Sequence, residues 1–504
     1  MGYMEGTSRE QCAYWSLEDM VAEKSMVRVI DRFIDSCDLE QLGFTRTKPA
    51  MTGRPCYPPD ALAKLYVYGY ENGIRSSRRL EKECNRNLEA MWLMDGLTPD
   101  HTVISEFRRL NLRPLQKLFR EFVKLCRSWD LVGGKVLAVD GVKIKASNNK
   151  KNNFSKKKLS DRLARLEVSI EEYLSKMEEE DRLDNSQGEA PEGLIKLFER
   201  KEQYQSYMDS LEETGETEIS VVDPDARLMG NNRGGVDMAY NVQSVVDGEH
   251  HIVVDYDVSM NPSDQGQLSN MSKRLIRQGY RRFTLLADKG YYNLKCLQKG
   301  KKYKIKVIVS RQAPTHKKGQ PKEFHIDKFQ YDCDTDTYKC PLGHTLHPHS
   351  KKTAKCRRFY NKTVCGKCPY SNICAPENEV YRTVYRREYS NICDEADQVF
   401  RDNLSQYRLR QQIVEHPFGT VKRTMDGGYF LLRRRRKVRT ETALLFLGYN
   451  LKRAYNVLGF SEIMARLDSL ISHYSRISRH FRDIYANRVQ IIKCSLFAAH
   501  FSAA

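Results

Sequence analysis

The stretch VLAVDGVKIKA, residues 136–146, restricts the fold more than any other part of the chain. Its side chains are β-branched or aliphatic almost without interruption, the pattern of a strand covered on both faces. Asp140 nevertheless stands in its middle. A carboxylate in such a strand has to be held there by something, because burying it alone is costly. Downstream, VDMAYNVQSVVDGEHHIVVDYDVSM reads as two strands joined at Asp247-Gly248, a strong hairpin pair. A helix (DQGQLSNMSKRLIRQGY), the strand FTLLAD, a turn with a short helix and the strand KIKVIVS follow. This order predicts an α/β or α+β domain around one sheet.

Other textures flank and interrupt that domain. Residues 1–130 read as helices, with Asp60 expected to cap YPPDALAKLYVYGY and Thr98-Pro99-Asp100 expected to break and cap the next pair. Arg108, Arg109 and Arg113 make a helix-turn-helix DNA reader one reading of this region, and a packing or dimerisation domain the other. Residues 150–218 are polar, with Leu159, Leu163, Leu166, Ile170, Tyr173 and Met177 spaced alternately four and three apart. A matching seam (Leu194, Leu197, Tyr204, Met208, Leu211) follows Gly188 and Pro191, which predicts an inserted antiparallel helical hairpin. Long helices return from about 390 to 490.

Composition then narrows the partner. Lys and Arg number 84 against 65 Asp and Glu, a balance of +19 that favours a polyanion. No run of about 18 apolar residues is present to span a bilayer, and MGYMEGTSREQC lacks the apolar region of a secretion signal. The expectation is a protein of the cell interior acting on DNA or RNA. The densest positive segment is Arg433 to Arg439, RRRRKVR, where Arg433, Arg434 and Arg435 are candidate DNA-backbone contacts.

Three carboxylates need explaining: Asp140, Asp288 at the end of FTLLAD, and Glu415 in YRLRQQIVEHPFGTVKR. Brought together they would offer oxygen ligands to Mg²⁺, two of which can serve phosphodiester transfer. Separately, they read as a turn, a helix cap and half of a surface ion pair. Asn261, Asp264 and Gln265 could stand behind such a site, but a helix cap from Ser263 or Asp264 is the simpler expectation. Seven cysteines fall between Cys333 and Cys393. Cys340, Cys365, Cys368 and Cys374 form the best tetrahedral zinc set, structural because no position stays open. Cys356 and His344 are possible substitutes, while Cys333 and Cys393 are expected to stand aside.

The succession VLAVDGVKIKA, LLADKGYYN and YRLRQQIVEHPFGTVKR resembles the DDE transposases of bacterial insertion sequences. In the last segment Tyr407, Arg410, Glu415 and Lys422 are similar to the Tyr-Arg-Glu-Lys signature of one large branch. One extra residue lies between Arg410 and Glu415. GGYFLLRRRRKVRTETALLFLGYNLKR and the cysteine insert resemble that branch too. The resemblance implies an α/β, ribonuclease-H-like catalytic domain over 131–455, in which Asp140, Asp288 and Glu415 bind two Mg²⁺ (or Mn²⁺) ions.

That domain would carry the helical arm at 150–218 and a zinc-ribbon-like insert at 330–378. A helical DNA-binding or dimerisation domain at 1–130 would precede it and a helical tail at 456–504 follow it. The implied reaction cuts double-stranded DNA at the element's terminal inverted repeats and joins the freed 3′-hydroxyl to target DNA. Tyr407, Arg410 and Lys422 would hold that DNA. A dimer or larger assembly, working in the bacterial cytoplasm on the nucleoid and away from membranes, is the matching expectation. Pro417 and Gly419 are expected to kink the helix after Glu415. Two alternatives stay open: a non-catalytic, zinc-containing DNA-binding relative, and a metal-dependent nuclease that only hydrolyses.

Overall fold

The computed structural model describes residues 16–48, 52, 55–181, 192–231, 234–312, 320–349, 356–375 and 379–472. Its central strand is β1 (Val136–Lys145), the stretch that the apolar pattern singled out. Around it lie β2 (Arg227–Gly230), β3 (Val236–Asp247), β4 (Val253–Ser259), β5 (Thr284–Ala287) and β6 (Lys306–Val309). β3 pairs antiparallel with β1, and both β2 and β4 pair with β3 along different halves of it. On its other side β1 runs parallel to β5, and β5 parallel to β6. The expected turn at Asp247-Gly248 forms, and Asp247 pins it by accepting from the N–H groups of Gly134 and Glu249, each at 2.9 Å.

Two helices pack directly on β4. α2 (Gln267–Arg277) is clipped to β4 by Arg274, which donates to both oxygens of Asp255 at 2.6 Å. α4 (Arg435–Leu458) is buried nearly all round and packs against β4, α1 (Leu112–Ser128) and the Pro59–Glu71 helix. A helix covered on every side needs apolar residues on every side, which is why ALLFLGYNL shows no polar face. Its Asn450 bonds the N–H and the C=O of Val253, both at 2.9 Å, and so satisfies backbone groups of β4. A Cβ at Gly448 would lie 3.1 Å from the Glu71 Cα, so the glycine lets the two helices touch.

The N-terminal helices and the sheet share one continuous hydrophobic core. A buried ion pair reinforces that union. Arg75, 1% exposed, donates to Glu441, 0% exposed, at 3.0 Å. The same guanidinium reaches the Tyr429 carbonyl at 2.7 Å and Asp426 at 3.2 Å, and lies 4.6 Å over the Tyr429 ring. Two local expectations change here. Pro58, not Asp60, is the N-cap of the Pro59–Glu71 helix; Asp60 sits inside the first turn, where it favours the helix dipole instead. Arg108 turns inward over Tyr66, 5.6 Å from its ring, while Arg109 is exposed and pairs with Glu106. Asp100 does cap its helix, accepting from Thr102 and Val103.

Two smaller units branch off. The helices Lys156–Asp181 and Glu192–Thr214 pack together over Phe154, Leu159 and Leu211 as the expected arm. Gly188 and Pro191 lie outside the described residues. Residues 330–387 build a separate five-stranded antiparallel sheet around Phe329, Leu346, Phe359 and Val384. Residues 460–472 form a further helix, and the rest of the expected tail is outside the described residues. Among the described residues no helix is long and apolar enough to cross a membrane.

Candidate active site

The parallel register of β1 and β5 sets Val139 beside Ala287. Asp140 and Asp288, the next residues along, therefore stand on neighbouring strands, which lie about 5 Å apart in any sheet. Neither is a turn or a side-chain cap: Asp140 lies within β1, and Asp288 makes no cap bond to the short helix behind it. The Arg410 guanidinium reaches both, at 4.0 Å from Asp140 and 3.9 Å from Asp288. Burial pushes the Asp140 carboxyl up to about 6; Arg410 and the Gly141 N–H pull it back, while Asp264 and Asp288 add to the rise. Two carboxylates side by side repel, and a cation between them relieves that repulsion.

Arg410 arrives on α3 (Leu404–Arg423), which packs against β1, β3 and β5. The helix runs on through Pro417 and Gly419 and is not broken after Glu415, because tertiary packing of Ile413, Val414, Phe418 and Val421 outweighs the proline's lost bond. Tyr407 lies 5.8 Å from the Arg410 guanidinium, and its hydroxyl is held above its ordinary pKa by desolvation, against the pull of Arg410 and with Asp288 adding to the rise. Lys422 is held below its ordinary pKa by desolvation, and Asp140 is the charge that draws it back up. α3 thus gathers Tyr407, Arg410 and Lys422 about the two aspartates. Glu415 is exposed on the same helix, accepting from Gln411 at 2.8 Å. Among the described residues no three His, Cys, Asp or Glu form a closed metal-holding group.

Asp264 joins the aspartates from an unexpected direction. The N-cap of α2 is Gly266, and neither Ser263 nor Asp264 caps that helix. Asp264 instead accepts from the side-chain amides of Asn241 and Gln243, both at 2.8 Å. Gln243 in turn accepts from the Tyr291 hydroxyl at 2.5 Å. Asn261 bonds the Ser263 N–H, and Gln265 is exposed. Gly141 makes room for this network: a Cβ there would meet Gln243 Nε2 at 2.3 Å and Asp264 Oδ1 at 2.7 Å. The sequence carried a signal in the alternating amides Asn241 and Gln243 between apolar residues of β3, and both are fully buried.

The basic run divides by role. Arg433 donates to the Ser147 carbonyl, and Arg434 gives its backbone N–H to Asp223. Arg435 ties α4 to Asp225, the Val258 carbonyl and Asp257. In the cysteine insert, Cys340, Cys365, Cys368 and Cys374 line one cavity of about 30 Å³ together with His344. Cys356 lies on the 356–360 strand outside that lining. All twelve cysteines among the described residues are free thiols. Sulfur donors are the chemistry tetrahedral zinc takes, but among the described residues these thiols do not converge into a metal-holding group.

Comparison with known proteins adds the following. Residues 15–110 match a family model described as a transposase domain (DUF772), and residues 339–455 match one described as a transposase DDE domain. The second match holds Tyr407, Arg410, Glu415, Lys422 and the four clustered cysteines, and leaves Asp140 and Asp288 outside it. No curated protein matches the chain. A cryo-EM structure of a piggyBac transposase synaptic complex with hairpin DNA aligns over 92% of this chain and 85% of its own. Its identity of 10% and TM-score of 0.32 make that likeness too slight to bear on the fold. With a transposase domain matched before β1 and a transposase DDE domain matched across α3, the two matches support a transposase function, that of an enzyme that cuts DNA and transfers its strands.

Proposed function

We propose that Asp140, Asp288 and Glu415 are the acidic residues of this transposase, holding two divalent cations (Mg²⁺ or Mn²⁺) in a ribonuclease-H-like core. The observation that carries the reading is the adjacency of Asp140 and Asp288 with the Arg410 guanidinium between them. The oxygen-only donors suit a hard cation. The sheet, antiparallel on the β3 side of β1 and parallel on the β5 side, supports the ribonuclease-H-like assignment. Bound there, divalent cations lower the pKa of an attacking oxygen and neutralise charge on the leaving one.

The chain's own residues then divide the work. Asp140 and Asp288 would hold the cations, and Glu415 would be the third acidic residue to reach them, from α3. Arg410 and Lys422 hold non-bridging phosphate oxygens, and Tyr407 stacks at the strand backbone. Water attacks first, at the terminal inverted repeat of the element; the freed 3′-hydroxyl then attacks target DNA. Cys340, Cys365, Cys368 and Cys374 hold a structural zinc that braces the 330–378 insert. We keep the division into 1–130, 131–455 and 456–504, and expect two element ends to be held by a dimer or larger assembly.

The test is strand transfer of labelled element-end DNA into a plasmid with Mg²⁺, comparing wild type with Glu415→Gln. Joined product from wild type alone supports the reading. Nicking without joining would replace it with the hydrolytic nuclease, and binding without cutting in both proteins with the non-catalytic relative.

A further inference from the structure

A second charged feature lies away from the carboxylates, where α1 meets the first turns of α4. A groove of about 560 Å³ is lined there by Arg113, Lys117, Arg120, Arg435, Arg436 and Arg439, with Asp225 the only carboxylate in the lining. Arg113, Lys117 and Arg120 follow at i, i+4 and i+7 on α1 and are all exposed. That face spans about 10 Å. Arg435 and Arg439 are steadied by Asp257 at 3.6 and 3.5 Å, so they form the back wall. Arg113, Arg120 and Arg436 make no ion pair among the described residues. The floor is rigid: Gln116 donates to the Thr440 hydroxyl at 2.8 Å, and that hydroxyl donates to the Leu112 carbonyl at 3.0 Å.

We propose that this groove grips the sugar–phosphate backbone of duplex DNA, as a holding site separate from the place of cutting. Concentrating like charge on two rigidly joined helices costs stability and repays it only when a polyanion lies between them. Four consecutive phosphates of one strand span about 10 Å of duplex axis, which matches the span of the α1 face. No base-reading geometry is needed, so the grip is independent of sequence. β4, which carries Asp257, is two strands from β1, about 10 Å across the sheet. The inference rests on DNA being the substrate, as proposed above.

The experiment measures affinity for a 40-base-pair duplex of arbitrary sequence against salt concentration. It compares wild type, R113Q/R120Q/R436Q, and a charge-matched control, K295Q/K302Q/K304Q, whose exposed lysines lie by β6 on the far edge of the sheet. Each phosphate contact contributes about 0.9 to the salt slope. The groove variant should lose about 2–3 from that slope and bind at least tenfold more weakly at 150 mM salt, with the control near wild type. Equal losses in the groove variant and the control, or none in either, would overturn the groove and leave the transposase reading standing. Failure of wild type to bind any duplex would overturn both.

Discussion

Replacing Arg75 by Met tests whether the N-terminal helices and the catalytic sheet are one cooperative unit. The substitution keeps the unbranched stem to about the position of Nε and removes the charged guanidinium beyond it. Glu441 would then be a fully buried carboxylate with only the Leu431 and Leu432 N–H groups, at 3.0–3.2 Å, to hold it. Breaking one side of a buried pair costs roughly 3–5 kcal/mol. The two remaining N–H donors pull that toward the low end, and the lost bond to the Tyr429 carbonyl adds about 1 kcal/mol. The expected deficit at pH 8 is therefore about 4 kcal/mol, read by urea unfolding through the fluorescence of Trp92 and Trp129.

The pH dependence gives a second, independent reading of the same pair. Burial already raises the Glu441 carboxyl above its ordinary value, and Arg75 is one of the groups pulling it down. Without Arg75 it rises further. A raised acid contributes stability that is present below its unfolded pKa and lost as pH rises through the folded one. The deficit of Arg75→Met should therefore shrink from pH 8 to pH 5.5. Adding Glu441→Gln should restore more than half of it. A loss under 1 kcal/mol, or one that ignores pH and the second substitution, would refute the idea that this pair couples the two regions.

Asp140→Asn should abolish strand transfer while raising the stability of the metal-free protein by about 3 kcal/mol at pH 8, since a carboxyl raised from 3.8 to about 6 loses stability as pH climbs through that window. Thermal melting in EDTA at pH 8 and pH 4 checks this, with the advantage gone at pH 4. Gly141→Ala drives a Cβ into Gln243 and Asp264; it should cost about 1–3 kcal/mol and most of the strand-transfer rate, and a variant of wild-type stability and activity would contradict the tight packing of that amide–aspartate network beside Asp140. Purified protein should carry one zinc per chain by elemental analysis, reduced by Cys368→Ser and unchanged by Cys356→Ser. Equal zinc loss from both would reassign the ligands.

What could be read from the sequence follows from how local each signal is. β1, the hairpin at Asp247 and the arm are declared by patterns a few residues long, and each forms where the pattern lies. Asp140 and Asp288 were visible as charges at strand positions, but their pairing depends on a parallel register between segments about 150 residues apart, which no local pattern encodes. Asp264 was misread because a loop aspartate before a helix is normally a cap; its true partners, Asn241 and Gln243, lie on a different strand. Arg108 failed for a similar reason: it looked solvent-facing on its own helix, and Tyr66 from another helix covers it. The continuity of Leu404–Arg423 through Pro417 was set by burial of its neighbours.

The near-total burial of α4 bears on how the chain is made. The Pro59–Glu71 helix and α1 lay part of their apolar surface on a helix that begins only at Arg435. At about 5–20 residues per second, a ribosome exposes those early helices for tens of seconds before their partner emerges. A nascent chain interrupted before α4 has no completed core, and is a substrate for chaperones and proteases. A chain that stops short of α4 therefore leaves its early helices without the surface they pack on, so the last long helix decides whether the first ones are stable.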